Sequence, residues 1–326
     1  MLKIKPIIIV AGEPNSIFLE IFFKVLKKLW FKKFSRPIIL IVSKKLIVDQ
    51  MKKLGFNFKI RVIKSNFLNS NQNIDNSKIN IINANYKYKR PFEKISNKSN
   101  IYIENCFRIG IEIMNKNLGY ALINGPISKK NFLKDKFLGI TEYLAKKTKK
   151  ENKVAMLIYN KKLSVSPITT HLPLKDVHKN ITKIKIINHV KLINSFYKTR
   201  LNKVPKIAIT GLNPHCESNY KSSEEKRIII PALERLIKQK YKVSGPFPAD
   251  TIFLKNQLKL YDVVIGMYHD QVLAPIKTLF NFNAINITLG LPFIRISPDH
   301  GPNFSMLGKN LSDPQSLVDS IKFLEN

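Results

Sequence analysis

Three of the six histidines share one sequence context, because His171, His215 and His269 each come shortly after an apolar, strand-like run. In parallel α/β sheets, ligands bind at the carboxyl ends of the strands. Three imidazoles at such ends could meet on one divalent ion and leave coordination positions open for a substrate. The alternative is three unrelated loop histidines bonded to backbone groups. The repeated context favours the metal site, whereas His178 and His189, on a Lys-rich stretch, are expected at the surface.

Two aspartates near these histidines are candidates for acid–base chemistry. Asp250 lies in the segment Gly-Pro-Phe-Pro-Ala-Asp-Thr, and Asp270 directly follows His269. Either carboxylate could orient a ligand imidazole or serve as a general base. Aspartate is also common in turns and at helix N-caps, so the sequence leaves both interpretations open for each residue.

A second set of residues indicates an anion site. Lys277, Asn286 and Arg295 lie in or beside apolar stretches of the C-terminal third. A buried arginine is costly unless it meets an anion. A substrate phosphate or carboxylate would satisfy Arg295, and so would a structural ion pair with Asp299 or another acid.

The sequence offers one weak candidate for a phosphate-binding loop. Residues 125–129 leave a predicted strand, and their backbone amides together with Lys129 could receive an anion. On this signal alone, a plain turn with a solvated lysine is the better interpretation. No glycine-rich loop of the GxGxxG or Walker type occurs, so nucleotide contacts remain unassigned to residues.

The elements that must position these residues alternate between apolar strands and helices. This rhythm predicts an α/β fold with a mostly parallel sheet. Residues 68–100, rich in Asn, Ser and Lys, are predicted to form long loops with a short strand pair. Strands are predicted at 5–11, 37–42, 58–63, 120–124, 153–159, 162–167, 205–210, 262–267 and 284–288, and helices at 17–30, 44–54, 101–115, 179–198, 223–239 and 314–325.

Length and composition exclude several classes of protein. The 326 residues suffice for about two domains, and two cysteines cannot make a disulfide framework or a cysteine-based zinc site. No stretch reaches the roughly 18 apolar residues of a membrane helix, and the short N-terminal apolar run does not fit a signal peptide. We therefore expect a soluble, cytoplasmic protein without a membrane partner.

The charge of the chain is strongly positive. Lysine and arginine number 56 against 22 acidic residues, which gives a net charge of +34. Such a charge concentrates anionic substrates near the protein. The lysines are dispersed and no nucleic-acid-binding motif is present, so a basic nucleic-acid-binding protein is only a distant alternative.

Eight short motifs follow one another over most of residues 7–302. They are Gly12-Glu-Pro, Asn124-Gly-Pro-Ile-Ser-Lys, Thr141-Glu-Tyr-Leu-Ala, Thr169-Thr-His-Leu-Pro-Leu, Gly211-Leu-Asn-Pro-His, Gly245-Pro-Phe-Pro-Ala-Asp-Thr, Met267-Tyr-His-Asp-Gln and Asn286-Ile-Thr-Leu-Gly-Leu-Pro-Phe-Ile-Arg. Each alone is a weak signal. Together and in this order they resemble the motifs of the 4-hydroxythreonine-4-phosphate dehydrogenase (PdxA) family of vitamin B6 biosynthesis.

The resemblance implies roles for individual residues. The three strand-end histidines become ligands of one divalent ion, for which three imidazoles favour zinc, while magnesium or cobalt stays open. NAD or NADP is the implied oxidant. The implied substrate contacts are Thr141, Lys277, Asn286 and Arg295.

The resemblance also implies an architecture. It is a two-domain α/β/α fold with mostly parallel sheets, like that of the isocitrate and isopropylmalate dehydrogenases, with the active site in the interdomain cleft. We place one domain at residues 1–135 plus 301–326 and the other, which carries the metal ligands, at 136–300. A homodimer with a shared active site is expected.

One position departs from the family pattern. The family has Gly-His-Thr-Glu where this chain has Gly139-Ile140-Thr141-Glu142. Isoleucine neither hydrogen-bonds to phosphate nor carries a proton, so the role of the family histidine cannot pass to Ile140. The contact is then dispensable, or activity is eroded, or the substrate is a related compound such as 4-phospho-threonate or 4-phospho-erythronate.

The implied reaction oxidises 4-phosphooxy-L-threonine, a small phosphorylated hydroxy amino acid, at its C3 hydroxyl. The resulting β-keto acid loses carbon dioxide and yields 3-amino-2-oxopropyl phosphate on the route to pyridoxal 5'-phosphate. Asp250 is the expected base or base-orienting residue, and Lys129 is its rival.

Overall fold

Runs of isoleucine and valine form the central strands, and every residue of Ile7–Val10 and of Ile38–Val42 is buried. Strands buried in this way are expected in parallel sheets that helices cover. The computed structural model describes residues 4–28, 34–64, 74–134, 136–216, 222–281, 284–298 and 300–325. The described residues form the strands β1 (Ile7–Val10), β2 (Ile38–Val42), β3 (Ile60–Val62), β4 (Ile79–Asn83), β5 (Ala121–Asn124), β6 (Ala155–Tyr159), β7 (Ser164–Thr169), β8 (Ile207–Thr210), β9 (Val243–Phe247), β10 (Val263–Tyr268), β11 (Ile285–Leu289) and β12 (Ile294–Pro298).

Amphipathic segments form the helices. Ser43 caps the second helix, and Thr182 caps the long sixth helix, each through a side-chain oxygen that accepts a backbone N–H. The described residues form the helices α1 (Phe18–Lys28), α2 (Lys44–Lys53), α3 (Asn100–Asn115), α4 (Ile140–Lys147), α5 (Leu174–Asn180), α6 (Lys183–Leu201), α7 (Ile230–Lys238), α8 (Lys255–Leu258), α9 (His269–Phe280) and α10 (Gln315–Glu325).

The chain divides into two compact units, residues 1–140 with 292–326, and residues 141–291. This division assigns residues 136–140 and 292–300 to the first unit, whereas the sequence analysis placed them in the second. The reason is clear for β12, which pairs in parallel with β5 of the first unit.

The first unit contains a parallel sheet. Its strands follow the order β3-β4-β2-β1-β5-β12. Each neighbouring pair runs in parallel, so the carboxyl ends of these strands lie at one edge. Helix α3 packs on β1, β2 and β5, and α10 packs on β12. Ligands of such a sheet are expected at the carboxyl edge.

The second unit contains a mixed sheet in the order β11-β6-β7-β10-β8-β9. The pairs from β7 to β9 are parallel, whereas β6 is antiparallel to β7 and β11. Helix α9 packs on β7 and β10, and α6 packs on β6, β7 and β11. The predicted α/β class with mostly parallel strands is confirmed.

Several local predictions need correction. The described part of residues 68–100 contains β4, which is inserted between β2 and β3 and does not form a local strand pair. Strands β9 and β12 and helices α4, α5, α8 and α9 were not predicted. Pro246 lies inside β9 and Pro275 inside α9, and proline in a sequence normally indicates the end of an element. The predicted C-terminal end of the first helix, residues 29–30, lies outside the described residues.

His189 is not a surface residue. It lies on α6 with 6% of its surface exposed, and its Nδ1 lies 3.1 Å from the backbone carbonyl oxygen of Lys185. Burial lowers its pKa to about 4. The prediction failed because lysines dominate the local sequence, while α6 turns this position towards the core. His178 on α5 is exposed, as predicted.

Among the described residues, no helix combines the length and the apolar character that crossing a bilayer requires.

Candidate active site

The three histidine-bearing loops leave neighbouring strands of the second unit. Strand β10 lies between β7 and β8 and pairs with both in parallel, so the carboxyl ends of the three strands lie at the same edge. His269 begins α9 directly after β10. His171 follows β7, and His215 follows β8. The sheet topology therefore gathers these three segments, which are distant in sequence.

His171 and His269 form a close pair. Their ring centroids lie 5.6 Å apart, with the planes inclined by 38°. Imidazoles that bind one ion through nitrogens at about 2 Å have centroids roughly 5 Å apart, so the pair fits a shared divalent ion. Nδ1 of His269 lies 2.6 Å from Oδ1 of Asp270. A carboxylate on Nδ1 orients the ring and leaves Nε2 to face a ligand.

Two of the three histidines have unusual backbone geometry. His171 has φ of 51° and His215 has φ of 57°, both in the left-handed region. Side chains other than glycine adopt this region at a cost, and such residues cluster at functional sites. The strain sets these imidazoles apart from ordinary loop histidines.

His215 lies in a short 3-10 turn, Pro214–Cys216, on the neighbouring loop. Among the described residues, no three His, Cys, Asp or Glu side chains lie close enough together to hold a metal ion. The structure thus brings together two of the predicted ligands, and the contribution of His215 stays a prediction. In donor chemistry, imidazoles on adjoining strand ends fit zinc or another divalent ion.

Gln271 joins the loop after β8 to the start of α9, and sequence reasoning missed it. Its Oε1 accepts hydrogen bonds from the Thr210 hydroxyl at 2.9 Å and from the Met267 amide at 2.6 Å. Its Nε2 donates to the Gly211 carbonyl at 2.8 Å. A buried amide with all these partners fixes both segments. Its position two residues after His269 was the available signal.

Glu225 holds the loop of His215 from the other side. Its Oε1 accepts the backbone amides of Leu212 and Asn213 at 2.8 and 2.9 Å, and Oε2 accepts the Asn213 side chain at 2.9 Å. Burial opposes the charged form, but these hydrogen bonds prevail and lower the pKa of Glu225 below its ordinary value. The carboxylate of Glu225 therefore stabilises the conformation of the loop that carries His215.

Asp250 lies in the exposed turn after β9, which is the neighbour of β8. Burial raises the pKa of the Cys216 thiol, and the carboxylates of Glu225 and Asp250 raise it further. Asp250 is thus close to the residue that follows His215. An exposed carboxylate near a candidate ligand loop keeps its place as a candidate base.

Thr141 and its neighbour are largely enclosed at the start of α4. Thr141 is 7% exposed. Oε1 of Glu142 accepts a hydrogen bond from the Thr170 hydroxyl at 3.3 Å, beside His171. Oε2 of Glu142 is buried and has no hydrogen-bond partner within the described ranges. A buried acceptor of this kind is rare in proteins and indicates a missing donor. Ile140 begins α4 and is half-buried.

The two remaining predicted substrate contacts of the second unit lie on α9 and β11. Lys277 is exposed on α9, two turns after His269. Asn286 is half-buried on β11, and its Oδ1 is enclosed without a hydrogen-bond partner in the described part of the chain. An enclosed acceptor without a partner makes Asn286 a candidate for a contact with a donor group.

Arg295 lies inside β12 of the first unit and is completely buried. Its Nε donates a hydrogen bond to Oδ1 of Asn124, at a distance of 2.7 Å. Asp299, the acid considered as its ion-pair partner, lies outside the described residues. The neighbour that the structure shows for Nε is therefore a neutral amide.

Lys129 is exposed and begins a π-helical turn, Lys129–Leu133, after β5. Ser128 caps this turn, since its hydroxyl oxygen accepts the Asn131 backbone amide at 3.4 Å. The predicted turn at the strand end is present. Its lysine is exposed, and its role at an anion or as a base stays a prediction.

An open groove of about 680 Å³ lies on the first unit. Four basic side chains are among the described residues that line it, and Glu93, the one acid among those residues, accepts the backbone amides of Lys89 and Arg90. The groove combines positive charge with aromatic surface. Its basic and aromatic members are Lys89, Arg90, Lys94, Lys309, Phe92 and Phe304.

Two α/β units with polar side chains at the carboxyl ends of parallel strands define an α/β protein with a ligand site of the kind that many enzymes use. Among solved structures, a β-decarboxylating dehydrogenase from Thermococcus kodakarensis shares this fold. It is 11% identical, with a TM-score of 0.53, over 98% of this chain and 82% of that one.

The chain belongs to the PdxA family, whose model, "Pyridoxal phosphate biosynthetic protein PdxA", matches residues 33–324. The 4-hydroxythreonine-4-phosphate dehydrogenase of Sulfurihydrogenibium sp. is 39% identical over 96% of this chain and 95% of its own length. The solved structure of that enzyme from Klebsiella pneumoniae is 28% identical, with a TM-score of 0.82 and 98% of both chains covered.

A further relative bears on substrate choice. A protein of Oceanobacillus iheyensis with the provisional name D-threonate 4-phosphate dehydrogenase is 36% identical over 66% of this chain and 65% of its own length.

Proposed function

We propose that the chain is an NAD- or NADP-dependent 4-hydroxythreonine-4-phosphate dehydrogenase of the cytoplasm. It oxidises 4-phosphooxy-L-threonine and releases carbon dioxide to yield 3-amino-2-oxopropyl phosphate for pyridoxal 5'-phosphate synthesis. The observation that carries the proposal is the pair of His171 and His269 at parallel strand ends, in a chain of the PdxA family.

The proposed metal site uses the three strand-end histidines. His171 and His269 are the preformed part, and His215 joins them from the adjoining loop. A bound divalent ion would act as a Lewis acid that polarises the substrate hydroxyl and, later, the ketone. Asp270 keeps the His269 ring in place, and Gln271 holds the loop after β8 against α9.

Three donor side chains and one acceptor side chain hold the substrate in this proposal. Thr141, Lys277 and Arg295 donate to the phosphate and the carboxylate. Asn286 accepts from a hydroxyl or amino group through its enclosed Oδ1. Several donors and acceptors fix C3 in a single orientation, which lowers the entropic part of the barrier.

Proton transfer falls to a carboxylate near the histidine loops. Asp250 takes the proton from the C3 hydroxyl or orients the group that does so. Lys129 of the first unit is the rival for this role. Replacing Asp250 by Asn should abolish turnover, because an amide cannot take the proton, while the variant still binds substrate. Replacing Lys129 by Gln should leave turnover in place.

The nicotinamide cofactor has a chemically suitable surface on the first unit. The basic groove defined above would attract the pyrophosphate, and its phenylalanines would stack on a base. Bound NAD or NADP would accept the hydride from C3. The sequence contains no glycine-rich nucleotide-binding motif, so it did not indicate this groove as a cofactor site.

The test is NADH or NADPH formation from purified protein with zinc, magnesium or cobalt. The expected substrate is 4-phosphooxy-L-threonine. No turnover of it with any of these metals would refute the proposal. A matched His215→Ala variant should lose both bound metal and turnover, whereas His178→Ala should keep both.

A second substrate class has a specific observation behind it. Ile140 stands where the family has histidine, and a relative is named for D-threonate 4-phosphate. Steady-state comparison of 4-phosphooxy-L-threonine with the 4-phosphates of threonate and erythronate decides between the two. A higher kcat/KM for either of these would move the assignment to that substrate.

We propose further that the enzyme is a homodimer with a shared active site. Mass measurement in solution should give twice 37.6 kDa. Mixing two inactive variants, His171→Ala and Arg295→Ala, should restore activity if the subunits contribute different residues to one site. A monomer that turns over at full rate would overturn this part.

A further inference from the structure

The carboxylate of Glu142 is hydrogen-bonded at one oxygen only. Its Oε1 accepts the Thr170 hydroxyl at 3.3 Å, whereas Oε2 is enclosed and has no hydrogen-bond partner among the residues that the structure describes. An ionised carboxylate accepts hydrogen bonds at both oxygens, and enclosing its charge is costly unless an opposite charge is near. The missing partner of Glu142 is therefore a cationic donor.

The lysine that helix spacing offers to Glu142 is paired elsewhere. Residues four apart on a helix are neighbours, so Lys146 on α4 is the expected partner of Glu142. The Nζ of Lys146 instead lies 3.2 Å from Oε1 of Glu151. Over the described part of the chain, Glu142 forms no salt bridge. The cation that would balance its charge is thus not one of these side chains.

Glu142 also lies beside the histidine pair of the proposed metal site. Its partner Thr170 directly precedes His171 in sequence. His171 is exposed, and its ring centroid lies 5.6 Å from that of His269. The Glu142 carboxylate is therefore tied to the segment that carries an exposed candidate metal ligand.

The chemistry of the proposed substrate indicates which of its groups meets this carboxylate. In 4-phosphooxy-L-threonine the hydroxyl to be oxidised lies on C3, the ammonium group on C2 and the phosphate ester on C4. A carboxylate repels the anionic phosphate and attracts the ammonium. With the C3 hydroxyl near the histidine pair, the ammonium is one carbon away and is the group that suits Glu142.

We propose that Glu142 selects a substrate with a C2 ammonium over one with a C2 hydroxyl. Its Oε2 accepts from the ammonium while the Thr170 hydroxyl holds Oε1. This inference rests on the proposed function, which places a phosphorylated amino acid in the site. It gives the chain a physical basis for preferring 4-phosphooxy-L-threonine to 4-phospho-threonate, which is neutral at C2.

The test is equilibrium binding of these two compounds to zinc-loaded full-length protein. Calorimetry without a nicotinamide cofactor gives both dissociation constants, since no turnover then occurs. Glu142→Gln keeps the size of the side chain and removes its charge. It should weaken binding of 4-phosphooxy-L-threonine about tenfold or more, the scale of one charge-assisted hydrogen bond, and binding of 4-phospho-threonate less than about twofold. Equal losses for both compounds, or no loss for either, would overturn the proposal.

Glu20→Gln is the matched control. Glu20 on α1 also has an enclosed oxygen without a hydrogen-bond partner in the described chain, but its other oxygen lies 3.0 Å from Nζ of Lys24. The charge of Glu20 is therefore balanced within the protein. Its variant should lose stability while the ratio of the two dissociation constants stays at the wild-type value.

A second variant decides if Glu142→Gln does not fold. Thr170→Val removes the hydroxyl that holds Oε1 at nearly equal volume, and the preference for 4-phosphooxy-L-threonine should fall about threefold or more. An unchanged preference in the folded variant would overturn the proposal. Failure of the proposed function shows separately, as no turnover of 4-phosphooxy-L-threonine by the wild-type protein with any of the metals.

Discussion

His171 and His269 lie with their rings 5.6 Å apart at the carboxyl ends of two strands that pair in parallel. Ninety-eight positions separate them in sequence. His171 has a left-handed backbone conformation, and His269 begins α9. The sheet, through β7 and β10, is what brings them together. A pair formed in this way is preorganised for the metal site proposed above, in which it supplies two of the three ligands.

Removal of Asp270 tests whether the ring of His269 is oriented by its carboxylate. Asp270→Asn should weaken zinc binding about 10- to 100-fold, because an imidazole without its carboxylate partner is a poorer ligand. Competition with a chromogenic chelator gives the affinity. Asp319→Asn on α10, whose side chain accepts from Gln315 at 2.8 Å, is the control and should leave zinc affinity unchanged. Equal affinities for both variants would contradict the orienting role.

Gln271→Ala should loosen the loop that carries His215. The variant loses hydrogen bonds to Thr210 and Gly211 and leaves buried groups unsatisfied. Each such group costs about 1–3 kcal/mol, so the free energy of unfolding should fall by roughly 2–4 kcal/mol. Urea denaturation measures the change, and Gln257→Ala, at an exposed position of α8, should be neutral.

The metal content of Gln271→Ala separates a local from a global effect. If the amide positions the loop, zinc stoichiometry should fall even at temperatures where the variant is fully folded. Wild-type stoichiometry together with reduced stability would show that Gln271 only supports the fold.

His189 should make the stability of the protein depend on acid pH. Burial lowers its pKa from 6.5 to about 4, so the unfolded chain binds the proton more readily between these values. Its contribution is therefore complete above pH 6.5 and is lost as the pH falls towards 4. Over that window the loss is about 3 kcal/mol.

The check is urea denaturation of wild type and His189→Gln between pH 4 and pH 7.5. The difference in the free energy of unfolding between the two proteins should change with pH across this window. His178→Gln, at an exposed histidine of α5, should run parallel to wild type. Parallel curves for His189→Gln would show that the imidazole titrates normally in the folded protein.

Ile140→His tests the departure from the family pattern. A histidine at the first residue of α4 supplies a donor beside Thr141. One such charge-assisted contact is worth about 1.5–3 kcal/mol, so KM for 4-phosphooxy-L-threonine should fall by at least tenfold. Ile140→Val is the control for a change in packing alone. A lower KM with 4-phospho-threonate only would instead identify the isoleucine as a substrate-selecting residue.

The sequence by itself determined the α/β class and the strand ends. Isoleucine-rich runs such as Ile38–Val42 predict buried parallel strands, and the histidines lie where those runs end. These properties are local, because a strand that is buried on both faces appears in the sequence as a continuous apolar run of the same length. The order of the motifs also placed the chain in its family.

Only the tertiary structure decided which groups meet. Nothing local indicates that Arg295 finds Asn124, 171 positions away, or that Gln271 finds Thr210, 61 positions away. The burial of His189 likewise depends on which face of α6 the sheet covers. Such contacts follow from strand order and register, which arise from the packing of the whole chain and have no short-range signature.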